Sequence, residues 1–91
     1  MSSDRLTLQV ITHEGKQFER EVFTFRLFTP SGELGVLPEH TTLVTSINET
    51  SVYYSDSENY EKEEEFIVAK GTLKVQNNLA TILTTKISYP N

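Results

Sequence analysis

The groups available for chemistry in this chain are two histidines, thirteen carboxylates and no cysteine. His13 and His40 lie far apart, and neither belongs to an H-x-H or H-x-x-x-H ligand pair. No spacing supports a metal site that joins both to glutamates. A Ser-His-Asp relay would have to draw on Asp4 or Asp56. One lies in the amino-terminal tail and the other in a polar connection, so neither suits a buried orienting group. The G-x-S-x-G nucleophile turn is absent as well. The four glycines, at 15, 32, 35 and 71, do not assemble a phosphate-cradling loop. Two carboxylates across a cleft can cleave a glycoside, but nothing in the pattern suggests an aromatic-lined pocket to hold the sugar. The expectation is a protein without catalytic residues, metal or cofactor of its own.

Three features point to binding instead. Gly32-Glu33-Leu34-Gly35-Val36-Leu37-Pro38-Glu39-His40 places two glycines, a proline and a histidine between apolar runs. Glycine admits backbone conformations closed to other residues, and proline fixes one dihedral and removes a donor. The stretch reads as one shaped loop leading into a short edge strand, displaying Glu33 and His40. The Ser31 to Leu34 segment alone describes a tight turn with an exposed acid. A lone histidine such as His40 is more often a hydrogen-bonded structural residue than a ligand. The run from Ser55 to Glu65 carries Glu58, Glu61, Glu63, Glu64 and Glu65. It reads as a solvated hairpin tip that also protects a sheet edge.

The elements that must position these residues are strands. Thr occurs 12 times, Val 7 and Ile 5, against 2 Ala, a balance that favours pleated, half-buried surfaces. Apolar residues recur with period two and nowhere sustain a helical period. Leu6, Leu8 and Val10 mark a first strand, followed by a turn at His13-Glu14-Gly15-Lys16. Phe23, Phe25 and Leu27 mark a second, broken by Thr29-Pro30-Ser31-Gly32. Leu34 to Leu37 is short and stops at Pro38, as an edge strand can. Leu43 to Ile47, Ser51 to Tyr54 and Glu65 to Lys70 follow. Leu73 to Val75 and Ala80 to Thr84 form a hairpin around Gln76-Asn77-Asn78, and Ile87 to Tyr89 adds a ragged end. Turn signals every eight to twelve residues predict an all-β fold, an antiparallel two-sheet sandwich or a barrel. The expected core is Leu8, Val10, Phe18, Val22, Phe25, Leu27, Val36, Leu43, Val44, Ile47, Phe66, Val68, Leu73, Val75, Ile82 and Leu83.

Bulk properties exclude several classes. Ninety-one residues make one domain, 1–91, with a modest core. A net charge of -5 and a pI near 4.9 argue against a nucleic-acid partner, which calls for a basic stripe. Without cysteine there is no disulfide framework. The opening Met1-Ser2-Ser3-Asp4-Arg5 resembles neither a signal nor a transit peptide, and no apolar run is long enough for a membrane span. Asn48-Glu49-Thr50 matches a glycosylation sequon and, with no secretory signal, is read as chance.

The motif Gly32-Glu33-Leu34-Gly35-Val36-Leu37-Pro38-x-His40-x-x-Leu43-Val44-Thr45 resembles that of the epsilon subunit of F-type ATP synthase, the delta subunit in mitochondria. There the pattern runs roughly G-x-L-G-I-L-P-G-H-A-P-L-V-T. Glu64-Glu65-Phe66-Ile67-Val68 with Gly71-Thr72-Leu73-Lys74-Val75 is similar to the family's E-E-F-x-x-x-x-G-G-F-L-E-V segment. Asn78 to Leu83 is similar to its N-x-V-x-I-L strand. The resemblance covers nearly the whole chain and implies a sandwich of about ten strands. It also implies a non-catalytic central-stalk subunit in a hetero-oligomeric complex, packed on the gamma subunit and resting on the polar loops of the c-ring. Ion-driven rotation is thereby coupled to ATP synthesis or hydrolysis. By the same resemblance, Ser31, Gly32, Glu33 and Leu34 match the ring-facing loop, while Thr12, His40 and Thr42 match gamma-facing positions. The implied place is peripheral, on the cytoplasmic face of a bacterial plasma membrane, without insertion.

This sequence departs from the family at several positions. Glu39 stands where the family has glycine, Thr41-Thr42 where it has Ala-Pro, and Lys70-Gly71 where it has two glycines. The Ser55 to Glu65 connection is longer and more acidic than the family's. The chain stops at Pro90-Asn91, so the family's two-helix C-terminal domain is expected to be absent. The competing expectation is a stand-alone sandwich that binds a peptide or carbohydrate on a concave face bearing Tyr53, Tyr54 and Tyr60.

Overall fold

A computed structural model describes residues 5–56 and 62–90. These residues form ten strands: β1 (Leu6–Thr12), β2 (Gly15–Val22), β3 (Thr24–Thr29), β4 (Gly32–Val36), β5 (Leu43–Ile47), β6 (Thr50–Ser55), β7 (Glu64–Val68), β8 (Gly71–Gln76), β9 (Leu79–Thr84) and β10 (Ile87–Ser88). They lie in two five-stranded sheets, ordered β2-β1-β9-β8-β5 and β10-β7-β6-β3-β4. The expected antiparallel sandwich is present, with one exception to its pairing. β9 returns beside β1 in parallel, because both strands start at the same end of the molecule.

Sequence alternation becomes burial. β1 reads buried at Leu6, Leu8, Val10 and Thr12 and half-buried between them. Inward residues of both sheets fill one core, with Phe25, Phe66, Leu27, Leu73 and Ile82 among the largest fully buried side chains. Phe18 and Leu43 pack against that core from its margins. Leu6, Val52, Tyr54 and Ala80 join it although they were not among the expected members.

Two expected core residues face water: Val44 is 64% and Leu83 49% exposed. Each follows an inward neighbour in a period-two strand, so the pleat turns it outward. Phe23 is also reassigned, since it lies between β2 and β3 and not within the second strand. β2 was not anticipated as a separate strand. Its exposed residues Lys16, Gln17, Glu19, Arg20 and Glu21 hide the alternation.

The connections divide between the two ends of the sandwich. At one end are the β1–β2 turn, the β3–β4 turn, the β5–β6 turn and the links 69–70 and 85–86. At the other are the 37–42 loop, the β6–β7 connection and the β8–β9 turn. Residues 57–61 of that acidic connection, with Glu58, Tyr60 and Glu61, lie outside the described residues. Gly71 explains one glycine of the family's pair. A Cβ there would collide with the backbone carbonyl of Leu83.

Candidate functional site

The β3–β4 hairpin builds the first candidate surface. Its register pairs Thr29 with Gly32, leaving Pro30 and Ser31 as a two-residue turn. Proline presets the dihedral that a turn needs at this position. The Ser31 N–H donates to Thr29 Oγ1 (3.1 Å), whose hydroxyl donates to the Gly32 carbonyl (3.0 Å). Gly32 takes φ 122°, a conformation that costs glycine little. The segment expected as a loop from Ser31 to Leu34 is thus a turn followed by edge strand β4. Ser31, Gly32 and Glu33 are exposed, whereas Leu34 is half-buried against the core.

Glu33 is already engaged. Its carboxylate accepts from Arg26 Nη1 (3.2 Å) on the neighbouring strand. Arg26 also grips Glu63 with two bonds, Nε at 3.0 Å and Nη2 at 3.1 Å, and lies 4.3 Å over the Tyr53 ring. The bond to Glu63 raises the guanidinium pKa most, burial opposes it, and the negative charges of Glu63 and Glu33 add to the rise. A partner that takes up the Glu33 carboxylate must share it with Arg26. Sequence reasoning missed Arg26 because its link to Glu33 is a cross-strand diagonal, visible only once the hairpin register is known.

The 37–42 loop carries the second candidate. His40 is half-buried and its Nδ1–H donates to the Thr41 carbonyl (2.7 Å). With that proton on Nδ1, Nε2 is an acceptor in the neutral ring. Thr42 is exposed just before β5. Glu39 takes φ 64°, the left-handed region, and its N–H donates to Asn78 Oδ1 of the β8–β9 turn. Asn77 and Asn78 are themselves left-handed, at φ 54° and 60°, as a two-residue hairpin turn requires.

The expected gamma-facing residues do not form one cluster. His40 and Thr42 lie at the end that carries the β8–β9 turn. Thr12 closes β1 at the opposite end, the end of the Pro30-Ser31 turn. Its side chain is inward and nearly buried, and its Oγ1 accepts from the Glu14 N–H (3.1 Å). It lines a cleft of about 110 Å³ with Glu14, Gln17, Thr85, Lys86 and Ile87. A surface holding both Thr12 and His40 has to run the length of the sandwich.

A second cleft, of about 230 Å³, lies on the outer face of the first sheet, lined by Lys74, Gln76, Asn77, Leu79 and Thr81. Neither cleft contains a histidine. Among the described residues no three of His, Asp and Glu lie close enough to hold a metal ion. No helix among them is long and apolar enough to cross a membrane. Of the tyrosines expected to line a carbohydrate or peptide face, Tyr60 lies outside the described residues, and Tyr53 and Tyr54 do not share one face. Tyr54 is 6% exposed inside the core, while Tyr53 lies under Arg26.

Comparison with known proteins bears on this arrangement as a whole. The family model for "ATP synthase, Delta/Epsilon chain, beta-sandwich domain" matches residues 5–89. The ATP synthase epsilon chain of Lactiplantibacillus plantarum is 29% identical over 86 residues, covering 94% of this chain and 61% of that protein. The chain therefore spans about three fifths of this relative's length. A chain in the cryo-EM structure of the Euglena gracilis mitochondrial ATP synthase (OSCP/F1/c-ring, rotational state 1) superposes with a TM-score of 0.82. The match has 18% identity and covers 98% of this chain and 56% of that one. A chain in the Tetrahymena thermophila mitochondrial ATP synthase structure (central stalk/c-ring) gives 0.73 at 12% identity, covering 96% and 68%. These structures share the fold, and the family match takes in every strand of both sheets. The chain belongs to the family of the ATP synthase delta/epsilon-chain β-sandwich domain.

Proposed function

We propose that this chain is a non-catalytic central-stalk subunit of an F-type or F-like rotary ATPase. It packs on a gamma subunit and on the polar loops of a c-ring, and so helps couple ion-driven rotation to ATP synthesis or hydrolysis. The observation that carries this reading is the family match over residues 5–89, which leaves no strand of the sandwich unaccounted for. The two ends of the sandwich suit two neighbours. The turn at Pro30-Ser31, with Gly32 and Glu33, meets the ring. The loop with His40 and Thr42 meets gamma. Glu33, shared with Arg26, sets register at a wet rim more than it adds affinity. His40 offers Nε2 to a donor on gamma, and shape and hydrogen bonding decide that contact. The chain itself supplies no nucleotide chemistry. Its place is peripheral, through the complex, on the cytoplasmic face of a bacterial membrane.

Purification of the tagged protein from native membranes tests the assignment. The expected product contains a gamma-like subunit together with catalytic ATPase subunits. Recovery of the protein with no rotary-ATPase subunit contradicts it.

A further inference from the structure

We infer that Asn78 is the positioning residue of the His40 loop. Its side-chain amide holds the strained Glu39 peptide so that His40 is presented in one place. The inference deepens the stalk reading and rests on it for the identity of the partner.

Three observations meet at this residue. Asn78 is in the left-handed conformation of a two-residue hairpin turn, which glycine, asparagine and aspartate tolerate best. Its backbone carbonyl accepts from the Thr7 N–H (2.9 Å), tying the start of β1 to the turn. Its Oδ1 accepts from the Glu39 N–H, 39 residues away in sequence. The side chain thus joins the hairpin turn to a loop that follows β4. Glu39 itself stands at φ 64°, a conformation that disfavours a residue bearing a Cβ. A hydrogen bond to that residue's own amide opposes relaxation into the ordinary region. Relaxation would swing the next peptide, and His40 with it. Turn chemistry alone requires only a left-handed residue at 78, and glycine satisfies that requirement. The clamp requires the side-chain oxygen.

Two substitutions separate these roles. Asn78→Gly keeps the turn, since Asn-Gly is the favoured pair there, and removes Oδ1. Asn78→Asp keeps both. Amide hydrogen exchange in the protein alone reads the clamp without any partner. In Asn78→Gly the Glu39 amide is expected to exchange about two- to tenfold faster, the loss of one hydrogen bond. The His40 ring resonances are expected to shift. The Thr7 amide, bonded to a carbonyl that the change does not touch, serves as internal control and should stay as it was. Asn78→Asp should resemble the unmodified protein throughout. Binding to the isolated gamma subunit should weaken about two- to tenfold in Asn78→Gly alone, as the clamp is lost.

Unchanged Glu39 exchange in Asn78→Gly overturns the inference. So does equal loosening of Thr7, or an Asn78→Asp protein that behaves like Asn78→Gly. The expected exchange pattern with unaltered gamma affinity overturns the link to the interface. If the unmodified protein binds no gamma subunit while the exchange pattern appears as expected, the stalk reading fails and the positioning of the loop stands.

Discussion

Glu39 shows how a single position can be legible in kind and illegible in consequence. Sequence comparison marks it as a charged residue where the family has glycine, and the backbone supplies the reason for glycine: φ is 64°. Replacing Glu39 by glycine should remove strain and return part of the gain as unfolded-chain entropy, a net stabilisation of about 0.5–1 kcal/mol. Urea unfolding measures it, and a destabilised Glu39→Gly protein would contradict the account. Glu33 was legible as an exposed acid. Its engagement was not, because Arg26, which also holds Glu63, reaches Glu33 only through the pairing of β3 with β4. The two ion pairs of Arg26 are largely solvent-exposed, so they orient Glu33 more than they stabilise the fold.

At the scale of elements, period two located most strands and mis-set two faces. Leu83 and Phe66 look alike in a hydropathy pattern, yet the pleat sends Leu83 outward and Phe66 into the core. Phe66→Ala should therefore cost about 3–5 kcal/mol. Leu83→Ala should stay within about 0.5 kcal/mol in the isolated protein. Comparable losses from both would contradict the register. The edge strand β2 escaped notice because the exposed Arg20 stands at the alternate position between Phe18 and Val22, where an apolar residue would have shown the period. That guanidinium, a charge on an edge strand that discourages pairing with another chain, lies 5.7 Å over the Tyr54 ring and 3.9 Å from Asp56. Phe18, Tyr54 and Phe66 cluster beneath it with ring centroids 4.7–5.9 Å apart. Burial raises the Tyr54 phenol pKa above its ordinary value near 10. Arg20 opposes the rise, and Glu64, Asp56 and Tyr89 add to it. The unfolded chain therefore loses this proton at lower pH than the folded one. Tyr54's contribution is complete below about pH 10 and declines as pH climbs through the folded value. Urea midpoints between pH 8 and 11 should fall more for the unmodified protein than for Tyr54→Phe. Parallel curves would show that Tyr54 does not carry this dependence.

For the whole molecule, the fold class was legible because short alternating strands and frequent turns leave few other ways to bury one face of each. The parallel return of β9 beside β1 was not, since no local pattern encodes a pairing between the two ends of the chain. The resemblance supplied the candidate residues, and the topology distributes them, with Ser31 at one end of the sandwich and Thr42 at the other. The absence of cysteine from the sequence makes this separation directly measurable. Single cysteines introduced as Ser31→Cys or Thr42→Cys, in the protein assembled in native membranes, can each be cross-linked and the captured subunit identified by mass. The account predicts a c-ring subunit from Ser31→Cys and a gamma subunit from Thr42→Cys. Capture of one and the same subunit from both positions, or of no rotary-ATPase subunit from either, would contradict it.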